Sequence, residues 1–372
     1  MTKKEIHMKK KITSVILSVL VMVNFFWIPA YGSKNTGKDV VVNLCIDSSQ
    51  MEINGESFSV DPGRDTVPVV VNGRTLVPIR SIIEAFGGEA IWYEDLRSVE
   101  LILGDTKITL YIDETTVIVN GETLPLDTAP LIINGRTMIP LRFVAECFGL
   151  GVAWDEKTRN VYIIQNGLDD DEYEYLCNNI PAYEGVAYAY INDNRPMFEE
   201  YEIIPASFEY YSNLDELQRC NVCFSSISTD IMPTEKRGDI SSVKPTGWIN
   251  AKYDIVSGKY LYNRCHLIGY QLTGENANER NLITGTRYFN VEGMFPFEKK
   301  VDAYIEKTGN HVAYRVTPFF KENNLLADGV LIEAYSVEDK GQGLSFCVYC
   351  YNVQPGIWLD YLTGMSKLVS VK

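Results

Sequence analysis

The run Tyr260-Leu-Tyr-Asn-Arg-Cys-His-Leu-Ile-Gly-Tyr270 decides how the second half of this chain is read. It holds His266, one of only three histidines in 372 residues. His7 lies in a segment with the character of an export signal and His311 in an apolar, strand-like run, so His266 is the first candidate for imidazole chemistry. β-Branched and aromatic residues favour a strand here, and strand side chains alternate faces. Arg264 and His266 therefore share one face, and Asn263 and Cys265 the other. A cation beside a base suits chemistry on an anionic substrate such as a phosphodiester.

Downstream, Asn281 to Asn290 reads as a polar connection. A helix is expected from Pro296, with Phe297, Val301, Tyr304 and Ile305 on one apolar stripe. Pro296 suits its first turn and Gly309 its end. If the helix starts at Pro296, Asn290 lies in the turn before it. The run His311 to Thr317 resumes β alternation, so the order is strand, connection, helix, strand.

Length and composition set the frame. At 372 residues the chain exceeds one ordinary core, and its 46% hydrophobic and 12% aromatic content is that of a globular protein. Residues 1–32 read as a secretory signal: a lysine-rich start, an apolar stretch from Ile12 to Ile28, and Ala30-Tyr-Gly32 for cleavage. An uncleaved membrane anchor is the competing reading, and either way the rest of the chain leaves the cytoplasm. Eight cysteines include two CxxC pairs, Cys220/Cys223 and Cys347/Cys350. Zinc is the sharper reading, packed or paired thiols the plainer one. A Cys347/Cys350 pair on a strand would point to opposite faces, which ligates one ion poorly.

The first half repeats itself. Val71-Asn-Gly-Arg-Thr-Leu-Val-Pro-Ile-Arg80 returns 62 residues later as Ile133-Asn-Gly-Arg-Thr-Met-Ile-Pro-Leu-Arg142, and Trp92 returns as Trp154. Each Asn-Gly predicts a tight hairpin turn. Arg80–Phe86 and Arg142–Phe148 show helical spacing, stopped by Gly87 and Gly149. Each unit is thus hairpin, short helix, hairpin. This pair resembles the copper amine oxidase N-terminal-like domain, a stalk module of exported bacterial proteins. No copper is expected, because no histidine occurs between Lys34 and Cys265 to supply nitrogen ligands. The module is read as a spacer or a surface for a cell-wall partner, with Arg80 and Arg142 as strand–helix junction contacts.

Three elements of the second half carry another resemblance. Tyr262-Asn-Arg-Cys-His266 looks like a variant of the Asp-Arg-Gly-His signature of DNA/RNA non-specific endonucleases, in the ββα-metal superfamily, closest to the bacterial DNA-entry nuclease group. Asn281 and Asn290 repeat that family's two asparagines nine apart, and Glu298 falls eight residues further, at the place of its helix glutamate. Asn263 and Cys265 depart from the motif's Asp and Gly.

The chemistry of phosphodiester hydrolysis needs a base, a counter-charge and help for the leaving oxygen. His266 is the candidate general base, since imidazole titrates in the right range. Arg264 neutralises phosphate through its guanidinium fork. Asn290 would ligate one mostly hydrated Mg²⁺, with Mn²⁺ as the alternative ion. The resemblance implies that Glu298 orients water at the ion and that Asn281 holds the geometry. Arg287, Arg315 and Arg237 are weaker candidates for gripping substrate, and His311 is read as structural.

The expected fold class is α+β: a duplicated β-rich stalk with short helices, then a ββα-metal nuclease domain. The expected boundaries are a signal at 1–32, the stalk at 40–165, an acidic solvated linker at 166–179 and the nuclease at 180–366. A net charge of −15 argues against a generally nucleic-acid-binding surface, but Lys236 to Arg315 carries 12 Lys and Arg against 8 Asp and Glu, a local +4. Contacts to DNA or RNA would then run mainly through phosphates. Two rival readings remain: a surface protein that keeps the fold and binds nucleic acid or cell wall without catalysis, and a zinc-stabilised module.

Overall fold

The computed structural model describes residues 39–168 and 170–369. The signal read at residues 1–32 lies outside the described residues. Among the described residues no helix is long and apolar enough to cross a membrane.

The duplication folds as the repeat implies. Hairpin Val69–Val71/Arg74–Pro78 leads into helix α1 (Ile79–Ala85), and hairpin Leu131–Ile133/Arg136–Pro140 into α2 (Leu141–Cys147). Both Asn-Gly pairs are left-handed at both residues: Asn72 and Gly73 at φ 52° and 74°, Asn134 and Gly135 at 51° and 71°. That backbone is the two-residue turn whose twist matches the strands. The two hairpins join edge to edge through Met138 opposite Pro78, making one four-stranded sheet.

Each repeat also owns a five-stranded sheet. The first is continuous in sequence, from Glu89–Tyr93 to Glu122–Pro125. The second is completed by the chain's earlier part: Val40–Cys45 pairs antiparallel with Asn160–Gln165 and brings the next two strands with it. One apolar core, including Leu44, Ile83, Leu110 and Val144, serves both repeats.

Within the stretch read as a linker, Asp170–Asn179 is helix α3, and its acids Glu172 and Glu174 are exposed. Leu176 is buried, Tyr173 stacks on Phe319 at 5.0 Å, and its hydroxyl donates to the Phe320 carbonyl at 3.0 Å. An acidic start is favourable at a helix N-terminus, and one apolar side chain per turn suffices to dock it. The two halves also share a core, in which Val41, Ala153 and Ile164 pack with Phe208, Tyr210, Phe224 and Ala313.

The second half is built on a six-stranded antiparallel sheet, ordered Tyr188–Tyr190, Ser345–Tyr351, Gly329–Ser336, Val312–Phe319, Cys223–Ile227, Phe208–Tyr211. Alternation sends Tyr314, Ile332, Val348 and Cys350 to one face, under helix α5 (Phe295–Thr308), which follows the short α4 (Tyr270–Thr273). Leu331, Cys347 and Tyr349 face the other core. Cys347 and Cys350 thus lie on opposite sides of the sheet.

Two strands outside this sheet, Tyr262–His266 and Leu282–Thr286, form their own antiparallel ladder and lead into α5. The polar connection expected from Asn281 to Asn290 is therefore strand over Leu282–Thr286 and helical at its end. Its Thr-Gly-Thr looked like loop, but the partner strand satisfies its backbone. Gly285 is required here: a Cβ would sit 2.6 Å from Cys265 Sγ and 2.5 Å from the Phe289 ring. The thiol of Cys265 fills the room that this glycine leaves.

Candidate active site

The Tyr262–His266 strand leaves His266 with 7% of its surface exposed, against Arg237, which lines a cleft. Its Nε2 lies 2.8 Å from the backbone carbonyl of Asn276. A carbonyl only accepts, so Nε2 carries the proton and Nδ1 keeps the lone pair. Nδ1 faces the Arg237 guanidinium, with Nη2 at 3.4 Å as donor. Burial, assisted by the Arg237 charge, pulls the imidazole down from 6.5 to about 4, against the Asn276 hydrogen bond that raises it. The ring is a neutral base at neutral pH, in one tautomer.

Asn281 sets that strand end. It is fully buried, its Oδ1 accepting from Ile268 N at 2.8 Å and its Nδ2 donating to Ile268 O at 3.0 Å. Its own carbonyl accepts from Leu267 N. With both amide atoms bonded to the Ile268 backbone, Asn281 clamps the residues that follow His266.

Glu298, in the first turn of α5, is buried. Its Oε2 accepts from Gln271 Nε2 at 2.9 Å. Burial raises it to about 7, while Gln271 and Arg237 pull the other way. The route from Asn290 to Glu298 differs from the expected turn. Phe289–Met294 is a π-helical segment running straight into α5, and Phe295 N donates to Asn290 O, five residues back. Pro296 has no N–H and would clash with a carbonyl one α turn earlier; the wider turn absorbs it. A π turn holds about one more residue than the 3.6 of an α turn, so the eight-residue interval closes on roughly two turns. Asn290 and Glu298 leave the helix in the same direction.

The cleft, about 490 Å³, is lined by Arg237, Arg264, Arg287, Asn290, Trp248 and Tyr260 among others. Arg264 is less available than its motif suggests. Its Nη2 donates to Ser241 O at 3.0 Å, its Nε donates to Val243 O, and its guanidinium sits 4.0 Å over the Trp248 ring. It anchors the preceding loop while facing the cleft. The carboxamide of Asn290 makes no hydrogen bond to another described residue. A cleft of about 520 Å³ on the duplicated domain, between Arg74, Arg142, Glu146 and Trp154, offers no imidazole or thiol.

Arg315 is a correction. As a substrate grip it would need solvent, but it is 3% exposed and bonds Glu333 at 2.8 Å and Glu202 at 2.8 Å, with Asp39 at 3.6 Å. It is a buried node of the sheet. His311 bonds Glu338 at 2.6 Å, as a structural residue would. Arg237 gains what Arg315 loses: it stands in the cleft and touches the histidine. No local pattern marks it, because it lies 29 residues before His266.

The CxxC thiols do not gather into a metal site among the described residues. Among the described residues no cluster of three His, Cys, Asp or Glu side chains could hold a metal. The thiols of Cys220 and Cys223 donate to the backbone carbonyls of Leu282 and Arg280. The Asn290 carboxamide on the cleft is a donor that a divalent cation retaining most of its waters could use.

Two family models match the chain: the copper amine oxidase N-terminal domain over residues 52–163, and DNA/RNA non-specific endonuclease over residues 200–338. Among solved structures, NucA from Streptococcus agalactiae with magnesium ion bound is 24% identical, covering 54% of this chain and 96% of that one, with a TM-score of 0.46. The Sda1 nuclease with bound zinc ion is also 24% identical, covering 50% and 96%, with a TM-score of 0.41. An extracellular endonuclease is 19% identical over 50% and 100%, with a TM-score of 0.36.

Proposed function

We propose that this chain, in which a copper amine oxidase N-terminal domain precedes a DNA/RNA non-specific endonuclease domain, is an exported nuclease that hydrolyses phosphodiester bonds with a divalent cation. The observation that carries the reading is His266: a carbonyl fixes its tautomer, burial keeps it neutral, and its second nitrogen meets Arg237, one of three guanidinium groups that line a cleft. Those features serve a general base working beside an anion.

His266 Nδ1 takes the proton of the attacking water, and Arg237, being exposed, moves aside to let that water approach. Arg264 and Arg287 bind phosphate oxygens, Arg264 held in place by Trp248 and two loop carbonyls. Asn281 keeps His266 in register through Ile268. Asn290 would hold the cation, and Glu298, behind it on the same helix face, would orient its hydration shell. Mg²⁺, with Mn²⁺ as alternative, supplies Lewis-acid stabilisation of the developing charge, worth several kcal/mol. Export rests on residues 1–32 of the sequence. The duplicated domain offers a surface to a cell-wall or other partner.

The test is incubation of the chain with plasmid DNA and with RNA, in Mg²⁺ and in EDTA, beside His266→Ala and Asn290→Ala. Cleavage in Mg²⁺ alone is expected, with His266→Ala slower by about 10²–10⁴ and Asn290→Ala inactive but folded. No cleavage by the unmutated chain in any divalent cation would leave only a binding protein, and full activity in Asn290→Ala would remove the cation ligand.

A further inference from the structure

Sequence alone shows few aromatic and basic residues side by side, and phosphate contacts are what it leads one to expect. The fold gathers them. Trp248 from one loop, Tyr260 from the approach to the Tyr262–His266 strand, and Arg237, Arg264 and Arg287 line a single cleft. Its volume, about 490 Å³, is in the range that takes a small ligand. The two rings do different work. Trp248 carries the Arg264 guanidinium at 4.0 Å and packs against a small core below, so its ring is occupied. Tyr260 is 50% exposed at the cleft, and among the described residues its only aromatic or cation–π contact is the Lys252 ammonium, 4.4 Å from the centroid.

A large, half-exposed ring beside three cations is an arrangement for stacking a base whose phosphates are held next to it. Every base has a π-face, so such stacking tolerates any sequence. A paired base in a duplex already spends both faces on its neighbours, and only an unpaired one can be splayed onto a protein ring. We propose that Tyr260 is the base-stacking platform of this cleft and gives the chain a preference for single-stranded nucleic acid, or for unpaired segments, over duplex. Arg264 and Arg287 hold the flanking phosphates, and Lys252 on the ring adds charge along the backbone path. The inference takes its ligand from the nuclease reading above, but binding tests it without need of cleavage.

The experiment measures binding of a labelled 15-nucleotide single strand, and of the same sequence as duplex, by fluorescence anisotropy in Ca²⁺, for the unmutated chain, Tyr260→Ala and Tyr260→Phe. The single strand should bind the unmutated chain more tightly. Tyr260→Ala should weaken single-strand binding about ten-fold and duplex binding much less, and Tyr260→Phe, which keeps the ring, should retain the preference. Equal affinities for the two forms, equal losses in Tyr260→Ala, or no binding to either would each overturn the proposal. Binding with this pattern but no cleavage in Mg²⁺ or Mn²⁺ would sink the nuclease reading and leave the stacking site standing.

Discussion

The two halves of this molecule treat polar groups differently. In the duplicated domain Arg74 with Asp127, Arg97 with Asp113 and Arg159 with Asp47 are well exposed pairs, while the buried carboxylates Asp61 and Glu100 pair with the more exposed Arg136 and Lys107. Apolar side chains from both repeats share one core. The second half buries His266, Asn281, Glu298, Arg315 and Glu333, each tied to named partners. Desolvating such groups costs free energy unless the partners are in place. A region that only has to fold can leave at least one partner of each such pair in contact with water. A region that must hold a base neutral and a carboxyl poised has to bury them.

The largest effect should come from breaking the buried node. Arg315→Met leaves Glu202 and Glu333 without their cation and should cost about 3–5 kcal/mol, read from urea unfolding. A loss near that of a surface variant would mean the node is solvated and the contrast between halves is weaker than described.

Next is the pH dependence of stability, where His266 and Glu298 oppose each other. His266 is depressed from 6.5 to about 4, so the unfolded chain binds a proton that the native chain does not, and stability falls as pH drops across that window. Glu298 is raised from 4.5 to about 7, so the native chain keeps a proton the unfolded one has lost, and stability falls as pH rises across that window. Between 4.5 and 6.5 the two slopes oppose each other, and Asp39, raised by burial from 3.8 to about 8, acts in the same sense as Glu298. Relative to the unmutated chain, Glu298→Gln should therefore lose on the order of 2–3 kcal/mol more from the upper to the lower end, measured by unfolding in EDTA. A profile unchanged from that of the unmutated chain would show that Glu298 is not perturbed.

A smaller effect is expected at Arg237, whose charge helps hold the imidazole down. Arg237→Met should move the acid limb of the pH–rate profile upward, and a downward or absent shift would separate Arg237 from the histidine. The smallest is expected in the outer domain, where Arg74→Ala should cost under about 1 kcal/mol because its pair with Asp127 is solvated.

Much of this was legible from local pattern. The period of 62 residues, the Asn-Gly turns and the stop glycines anticipated both repeats, since a turn's φ angles and a helix's end depend on residues close in sequence. The strand carrying Arg264 and His266 followed from alternation. The strand Leu282–Thr286 escaped because Thr-Gly-Thr carries loop propensity that its partner strand overrides. Helix α3 escaped because an acidic run reads as solvated until a sheet is there to receive Leu176 and Tyr173. Arg287 and Arg315 looked alike as isolated cations, and nothing near either revealed that one lines a cleft and the other meets three carboxylates.

The sequence by itself determined the duplication, the α+β class, the strand that presents His266 and the set of residue types available for phosphodiester chemistry. Only the tertiary structure decided which nitrogen of His266 carries the proton, that Arg237 meets the other, that a π turn lies between Asn290 and Glu298, and that Tyr260 joins three arginines at one cleft. The physical reason is range. Turn angles and side-chain alternation are set within a few residues, whereas tautomer, burial and charge balance depend on groups that meet only after distant segments have packed.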